Sequence, residues 1–127
     1  MFLIKLVFIL ISDKELVKTI IEGIQEKKGK EIILIDLSEL NFAICDYFII
    51  CHGESNTQVS AIAESIEEKV KTNLNKNTSH LEGLQNAQWV LMDYQDTIVH
   101  IFQKQYRDYY KLEELWGDAK ISIIDEE

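Results

Sequence analysis

The chain has 127 residues, 46% of them apolar, a formal charge of −9 and no low-complexity tract. That length suits one compact core that needs neither a metal nor disulfides to fold. Twelve lysines and one arginine are scattered without a basic block, so composition offers no footprint for gripping phosphate. Cys45 and Cys51, with no CxxC pair, point to reduced thiols and a cytoplasmic setting.

Met1 to Ile11 is apolar apart from Lys5, yet it falls short of the roughly 20 residues that span a bilayer. Lys5 sits inside the run, and Ser12-Asp13-Lys14-Glu15 follows where small residues would mark cleavage, which argues against a signal peptide. The segment is expected to be an added edge strand, a tail or a misassigned start. Residues 12–119 form the expected domain, and 120–127 an acidic C-terminal tail.

Ser12 with Glu15 makes a capping-box pattern ahead of Leu16, Val17, Ile20, Ile21 and Ile24 at helical spacing, so a first helix is expected from about Ser12. Gly29 is expected to stop it in a left-handed conformation. Ile32 to Ile35 and Tyr47 to Cys51 are apolar at consecutive positions, as in strands covered on both faces. Ser55 or Asn56 then caps a second helix with Val59, Ile62, Ala63, Ile66 and Val70 on one stripe, running to about Thr72.

His80 to Glu82 reads as a short strand ended by Gly83, and Gln88 to Tyr94 and Thr97 to Gln103 as a hairpin turning at Gln95-Asp96. Tyr106 to Trp116 is expected to be short and helical, closed by Gly117. The sum is an α/β (α+β) domain, a mixed sheet of about five strands with helices packed on it.

A two-residue turn sets Trp89 opposite Phe102, Leu91 opposite His100 and Asp93 opposite Ile98, with Val90, Met92, Val99 and Ile101 on the other face. The second, aliphatic set belongs under helices. The first mixes aromatics with His and Asp, which suits either a partner-binding surface or a second core layer. Arg107 lies among Tyr106, Tyr109 and Tyr110, placed for bidentate pairing, for aromatic stacking or for plain solvation.

Catalytic readings find less support. His100 has no nucleophile at a sharp turn beside it in sequence, and His52, His80, His100, Cys45 and Cys51 match no zinc-ligand spacing. The stretch Cys51 to Asn56 leads from a strand into a helix N-terminus able to hold an anion, but it lacks the glycine-rich phosphate motifs, and helix capping explains it more simply. Asp36, Asp46 and Asp93 fall on separate strands, without the close pair of a two-metal site.

Three segments carry a family resemblance: KGKEIILIDL at 28–37, CDYFIICHGESNTQVSAIAESIEEKV at 45–70, and HLEGLQNAQWVLMDYQDTIVHIFQKQYRDYYKLEELWGDA at 80–119. Over about residues 13–119 the chain resembles the ribosomal silencing factor family, RsfS or Iojap. Asp46, Tyr47 and Phe48, Gly53 and Ser55, and Gln58-Val59 match the family's first motifs. Trp89, Asp93, Tyr94, His100, Phe102, Arg107, Tyr110, Leu112, Leu115 and Trp116 match its C-terminal pattern. Thr57 stands where many relatives carry a basic residue.

The resemblance implies a nucleotidyltransferase-like fold without catalytic carboxylates. It implies a cytoplasmic, non-enzymatic protein that binds the large ribosomal subunit through ribosomal protein number fourteen and sterically blocks subunit joining. It further implies a homodimer, little direct nucleic-acid contact, no membrane, no cofactor and no metal. Partner contact is expected at Trp89, Leu91, Asp93, His100, Phe102, Arg107, Tyr110 and Trp116, with Trp89→Ala weakening docking more than folding. The alternative is a nucleotidyltransferase-like enzyme or nucleotide-binding protein.

Overall fold

A computed structural model describes residues 2–40, 44–117 and 119–124, with side chains from residue 14 onward. In chain order the elements are α1 (Phe2–Glu26), β1 (Lys30–Asp36), β2 (Tyr47–Gly53), α2 (Asn56–Leu74), β3 (His80–Glu82), β4 (Trp89–Asp93), β5 (Thr97–Gln103), α3 (Lys104–Tyr110), a 3-10 helix (Leu112–Trp116) and β6 (Lys120–Ile123). The strands form one six-stranded sheet in the order β3-β4-β5-β2-β1-β6. Only β2 and β5 pair in parallel, joined by the crossover that contains α2; the other neighbours are antiparallel. The expected five strands become six because Lys120–Ile123, read from sequence as tail, pairs with β1.

The periodicity of the sequence is realised in the main core. Leu16, Ile20 and Ile24 of α1 and Val59, Ile62, Ala63, Ile66 and Val70 of α2 are buried against Ile32, Ile49 and Cys51, and against the aliphatic set Val90, Met92, Val99 and Ile101. Those four side chains are fully buried, and the hairpin register is the expected one, Trp89 with Phe102, Leu91 with His100 and Asp93 with Ile98. A one-residue slip would have put all four on the opposite face.

Both helices depart from expectation at their ends. α1 does not begin at Ser12 but continues back to Phe2. A capping serine takes effect only where the preceding chain leaves the helix, and Met1 to Glu22 holds no glycine or proline to make it leave. At the other end the left-handed residue is Lys28, φ 58°, rather than Gly29. Gly29 N–H donates to Ile24 O at 2.9 Å and Lys28 N–H to Gln25 O at 3.0 Å, the crossed pair of a Schellman motif. Gly29 is needed for room instead, since a Cβ there would collide with the Ile24 side chain.

α2 starts as read. Ser55 is its N-cap and Oγ accepts from Gln58 N–H at 3.1 Å, while Gln58 Oε1 accepts from Glu54 N–H at 2.7 Å. Gln58 Nε2 also donates to Lys27 O and Lys28 O, both at 3.1 Å, so one side chain satisfies the amide just before the cap and ties the start of α2 to the end of α1. Two of the amides at this strand-to-helix turn, those of Glu54 and Gln58, are therefore engaged by side chains. α2 ends at Asn75, φ 54°, slightly beyond the expected Thr72.

Candidate functional site

The face of the sheet away from α1 and α2 carries Trp89, Leu91 and Asp93 from β4, Ile98, His100 and Phe102 from β5, and Phe48, Ile50 and His52 from β2. This face is not open. α3 and the 3-10 helix fold back across it, and Ile33, Ile35, Leu37, Cys45, Phe48, Ile50, Ile98 and Phe102 form a second buried cluster. Trp89, Leu91, Tyr106, Leu112 and Trp116 pack at its margin.

The margin is aromatic. Trp89 stacks on Phe102 with centroids 4.9 Å apart, and Tyr110 lies on Trp89 at the same separation. Trp116 meets Phe48 edge-on at 5.5 Å, and Tyr109 meets Tyr110 edge-on at 5.1 Å. Such ring pairs are worth about 0.5–1.5 kcal/mol beyond the area they bury, so they help hold the layer together. Trp89 Nε1–H donates to His100 Nδ1 at 3.0 Å, which leaves the His100 proton on Nε2. Nε2 is buried and has no partner among the described residues. Burial holds the imidazole's pKa down at about 4, so His100 is neutral near pH 7.

Arg107 is 5% exposed and explains how the C-terminal segment is held. Its guanidinium donates to His52 Nδ1 at 3.0 Å, to Lys30 O at 3.3 Å and to Glu113 Oε1 at 3.3 Å. One planar fork thus joins α3 to β2, to the start of β1 and to the 3-10 helix. His52, 2% exposed, has its pKa lowered by burial and then by the neighbouring guanidinium, and stays neutral as an acceptor.

The sequence-expected contact residues separate into two sets. Trp89, Leu91, Asp93 and Trp116 are half-buried and Tyr110 is about half exposed, so they reach the surface. His100, Phe102 and Arg107 do not: the expectation that His100 and Phe102 line an exposed or partner-covered face is corrected, because the chain's own C-terminal segment covers them, and Arg107, expected as a contact residue, is buried within that segment's attachment. They support the face from beneath. Asp93 has a structural task as well, since its Oδ1 accepts from Gln95 N–H at 2.7 Å and steadies a turn in which Gln95 has φ 75°.

The solvent side adds two residues that were not among the expected contacts. Tyr109 is 79% exposed and Leu115 72%, both on the segment that closes the face. The Tyr109-Tyr110 doublet was a signal in the sequence, but only the fold shows which of the two rings packs inward.

The remaining candidates do not assemble into chemistry. Among the described residues no group of three or more His, Cys, Asp or Glu side chains is placed to hold a metal. Burial pushes the Cys45 thiol up to about 11 and the Cys51 thiol up to about 12, so neither is a thiolate at neutral pH. Asp36 accepts from Ser38 N–H at 2.9 Å, and Asp46 has its carboxyl pKa raised by burial and by Asp96 and Asp36. No described helix is long and apolar enough to cross a membrane.

Fold and site together define a class: a small α+β domain with one helix-covered face and one face closed by its own aromatic C-terminal segment. The chain belongs to the ribosomal silencing factor family, whose model, described as ribosomal silencing factor during starvation, matches residues 11–127. It is 38% identical over 114 residues to the ribosomal silencing factor RsfS of Bacillus subtilis, covering 90% of this chain and 95% of that one. A protein of known crystal structure from Chromobacterium violaceum superposes with a TM-score of 0.77 at 38% identity, over 88% of this chain and 92% of the other. The chloroplastic Iojap protein of Zea mays is 36% identical over 73 residues, 58% of this chain and 31% of that protein.

Proposed function

We propose that this chain docks on the large ribosomal subunit, through ribosomal protein number fourteen at the intersubunit face, and keeps the small subunit from joining. The observation that carries the reading is the partly exposed aromatic margin of Trp89, Tyr110 and Trp116, with the exposed Tyr109 and Leu115 on the same C-terminal segment, which Arg107 pins to the sheet. Aromatic anchors on a preorganised frame are what binding hot spots consist of. The charge of −9 suits a basic ribosomal protein, since opposite charge speeds encounter. The mechanism is occupancy of space: no bond is made or broken, no cofactor is called for, and the protein works in the cytoplasm.

Pelleting purified protein with large subunits tests it. Tyr109→Ala and Leu115→Ala remove exposed groups, so each should leave the melting temperature near wild type. At least one should weaken pelleting by roughly thirtyfold, the equivalent of about 2 kcal/mol. Wild-type protein that stays in the supernatant at micromolar concentration would sink the proposal. Trp89 is the poorer probe, contrary to the sequence expectation. Its truncation would both open a cavity against Phe102 and strip His100 Nδ1 of its donor, so folding suffers too.

A further inference from the structure

Among the described residues the buried side chains able to carry a positive charge are His52, His100 and Arg107, and all three lie on the sheet face that α3 and the 3-10 helix close. The α1–α2 side buries none. The third histidine, His80, is exposed on β3.

Each buried histidine helps to hold the C-terminal segment by accepting a hydrogen bond, which only a neutral ring nitrogen can do. His52 Nδ1 accepts from the Arg107 guanidinium of α3 at 3.0 Å, and His100 Nδ1 accepts from Trp89 Nε1–H at 3.0 Å, on whose indole Tyr110 of α3 lies. A proton on either Nδ1 sets donor against donor. At His52 it also sets an imidazolium against a guanidinium whose one carboxylate, Glu113, is already paired with it. The charged groups facing His52 are Arg107 and Lys104 from α3, Glu31 from β1 and Glu54 just beyond β2. Both carboxylates favour the charged ring, but they are exposed and Glu54 stands 4.0 Å away, so burial and Arg107 prevail. His100 is faced by the rings of Phe48 from β2, Trp89 from β4 and Phe102 from its own strand, and burial alone disfavours its charge.

We infer that residues 104–116 form an acid-operated latch: protonation of His52 and His100 frees this segment from the sheet while the α1–α2 core keeps its fold. Release returns both rings to water and leaves the contacts of the aliphatic core in place. The segment is also weakly held by anything else, since α3 has seven residues, the 3-10 helix five, and Arg107 is the one buried residue of the two. Elements with so little burial open before the core does. On the docking reading above, opening disperses Tyr109 and Leu115, so acid and partner act on the segment in opposite directions.

Hydrogen exchange of the full chain alone at about pH 7 and about pH 5, corrected for intrinsic rates and repeated in low urea, tests the latch without the ribosome. Carboxylates of ordinary pKa, about 4, stay charged over that range. Protection across residues 104–116 should fall by about twentyfold or more, the ratio that one histidine gives on moving from a pKa of about 4 to its ordinary 6.5, and should depend little on urea because the opening is small. Amides of α2 should stay better protected and lose protection steeply with urea. Combining His52→Asn with His100→Gln, which supplies a neutral amide at each site, should abolish the acid-driven loss, and the wild-type urea comparison decides even without that variant. A segment whose protection and urea slope match those of α2 opens only with the whole domain and overturns the inference. So does a double variant that loses protection as the wild type does.

Discussion

His100 sits where a charge is least welcome, between Phe48, Phe102 and Trp89, with one nitrogen accepting from the indole and the other buried without a partner. Its folded pKa of about 4 lies below its ordinary 6.5, so the unfolded chain binds the extra proton first. Stability from this group is complete above pH 6.5 and is lost as pH falls through about 4, amounting to on the order of 3 kcal/mol. His52 is shifted in the same direction beside Arg107 and adds to the loss. Thermal melts from pH 7 to 4 should show the decline, and His100→Gln should flatten it. An unchanged slope in that variant would place the acid sensitivity elsewhere. Arg107 makes a second prediction at this scale. Lysine cannot reach His52, Lys30 O and Glu113 with one ammonium, so Arg107→Lys should cost about 2 kcal/mol and speed hydrogen exchange across residues 104–116.

Among the elements, the hairpin shows how local chemistry and close approach divide the work. Its register follows from alternation, and Asp93 with the Tyr94 N–H to Thr97 O bond of 2.9 Å steadies a turn that lacks glycine. Asp96 O accepts from Asp46 N–H at 2.9 Å and from Tyr47 N–H at 3.1 Å, fastening the hairpin tip to the entry of β2. Gly83 does the corresponding work at the other end. It has φ 89°, and a Cβ there would collide with the Trp89 carbonyl. Gly83→Ala should therefore destabilise by more than the roughly 1 kcal/mol of backbone strain alone and disturb β4, seen as a shift in tryptophan fluorescence. A variant as stable as wild type would show that the β3–β4 connection can move aside.

At the scale of the molecule, two cores share one sheet. The α1–α2 side buries the aliphatic core, and the opposite side is closed by a short segment pinned at Arg107. That segment carries the exposed Tyr109 and Leu115, so the proposed docking surface depends on this closure. The net charge of −9 gives a prediction for the whole chain: its association rate with large subunits should fall as salt rises from about 50 to 200 mM, while dissociation changes less. Stopped-flow measurement checks this, and a rate indifferent to salt would remove electrostatic steering from the account.

Periodicity, caps and turn residues are properties of neighbours in sequence, and from them the chain by itself determined the two amphipathic helices, the hairpin register and which side chains share each face. It also carried the family motifs over most of its length. What it did not determine was coverage. Whether the Trp89–Phe102 face is open depends on residues 104–116 folding back, and that depends on Arg107 meeting His52, 55 positions away. The pairing of β6 with β1 is likewise set by contacts across the whole chain, which is why Lys120–Ile123 reads as tail until the sheet is assembled. Alternation assigns a side chain to a face; only tertiary packing decides whether that face meets water, because the segment that excludes the water lies elsewhere in the sequence.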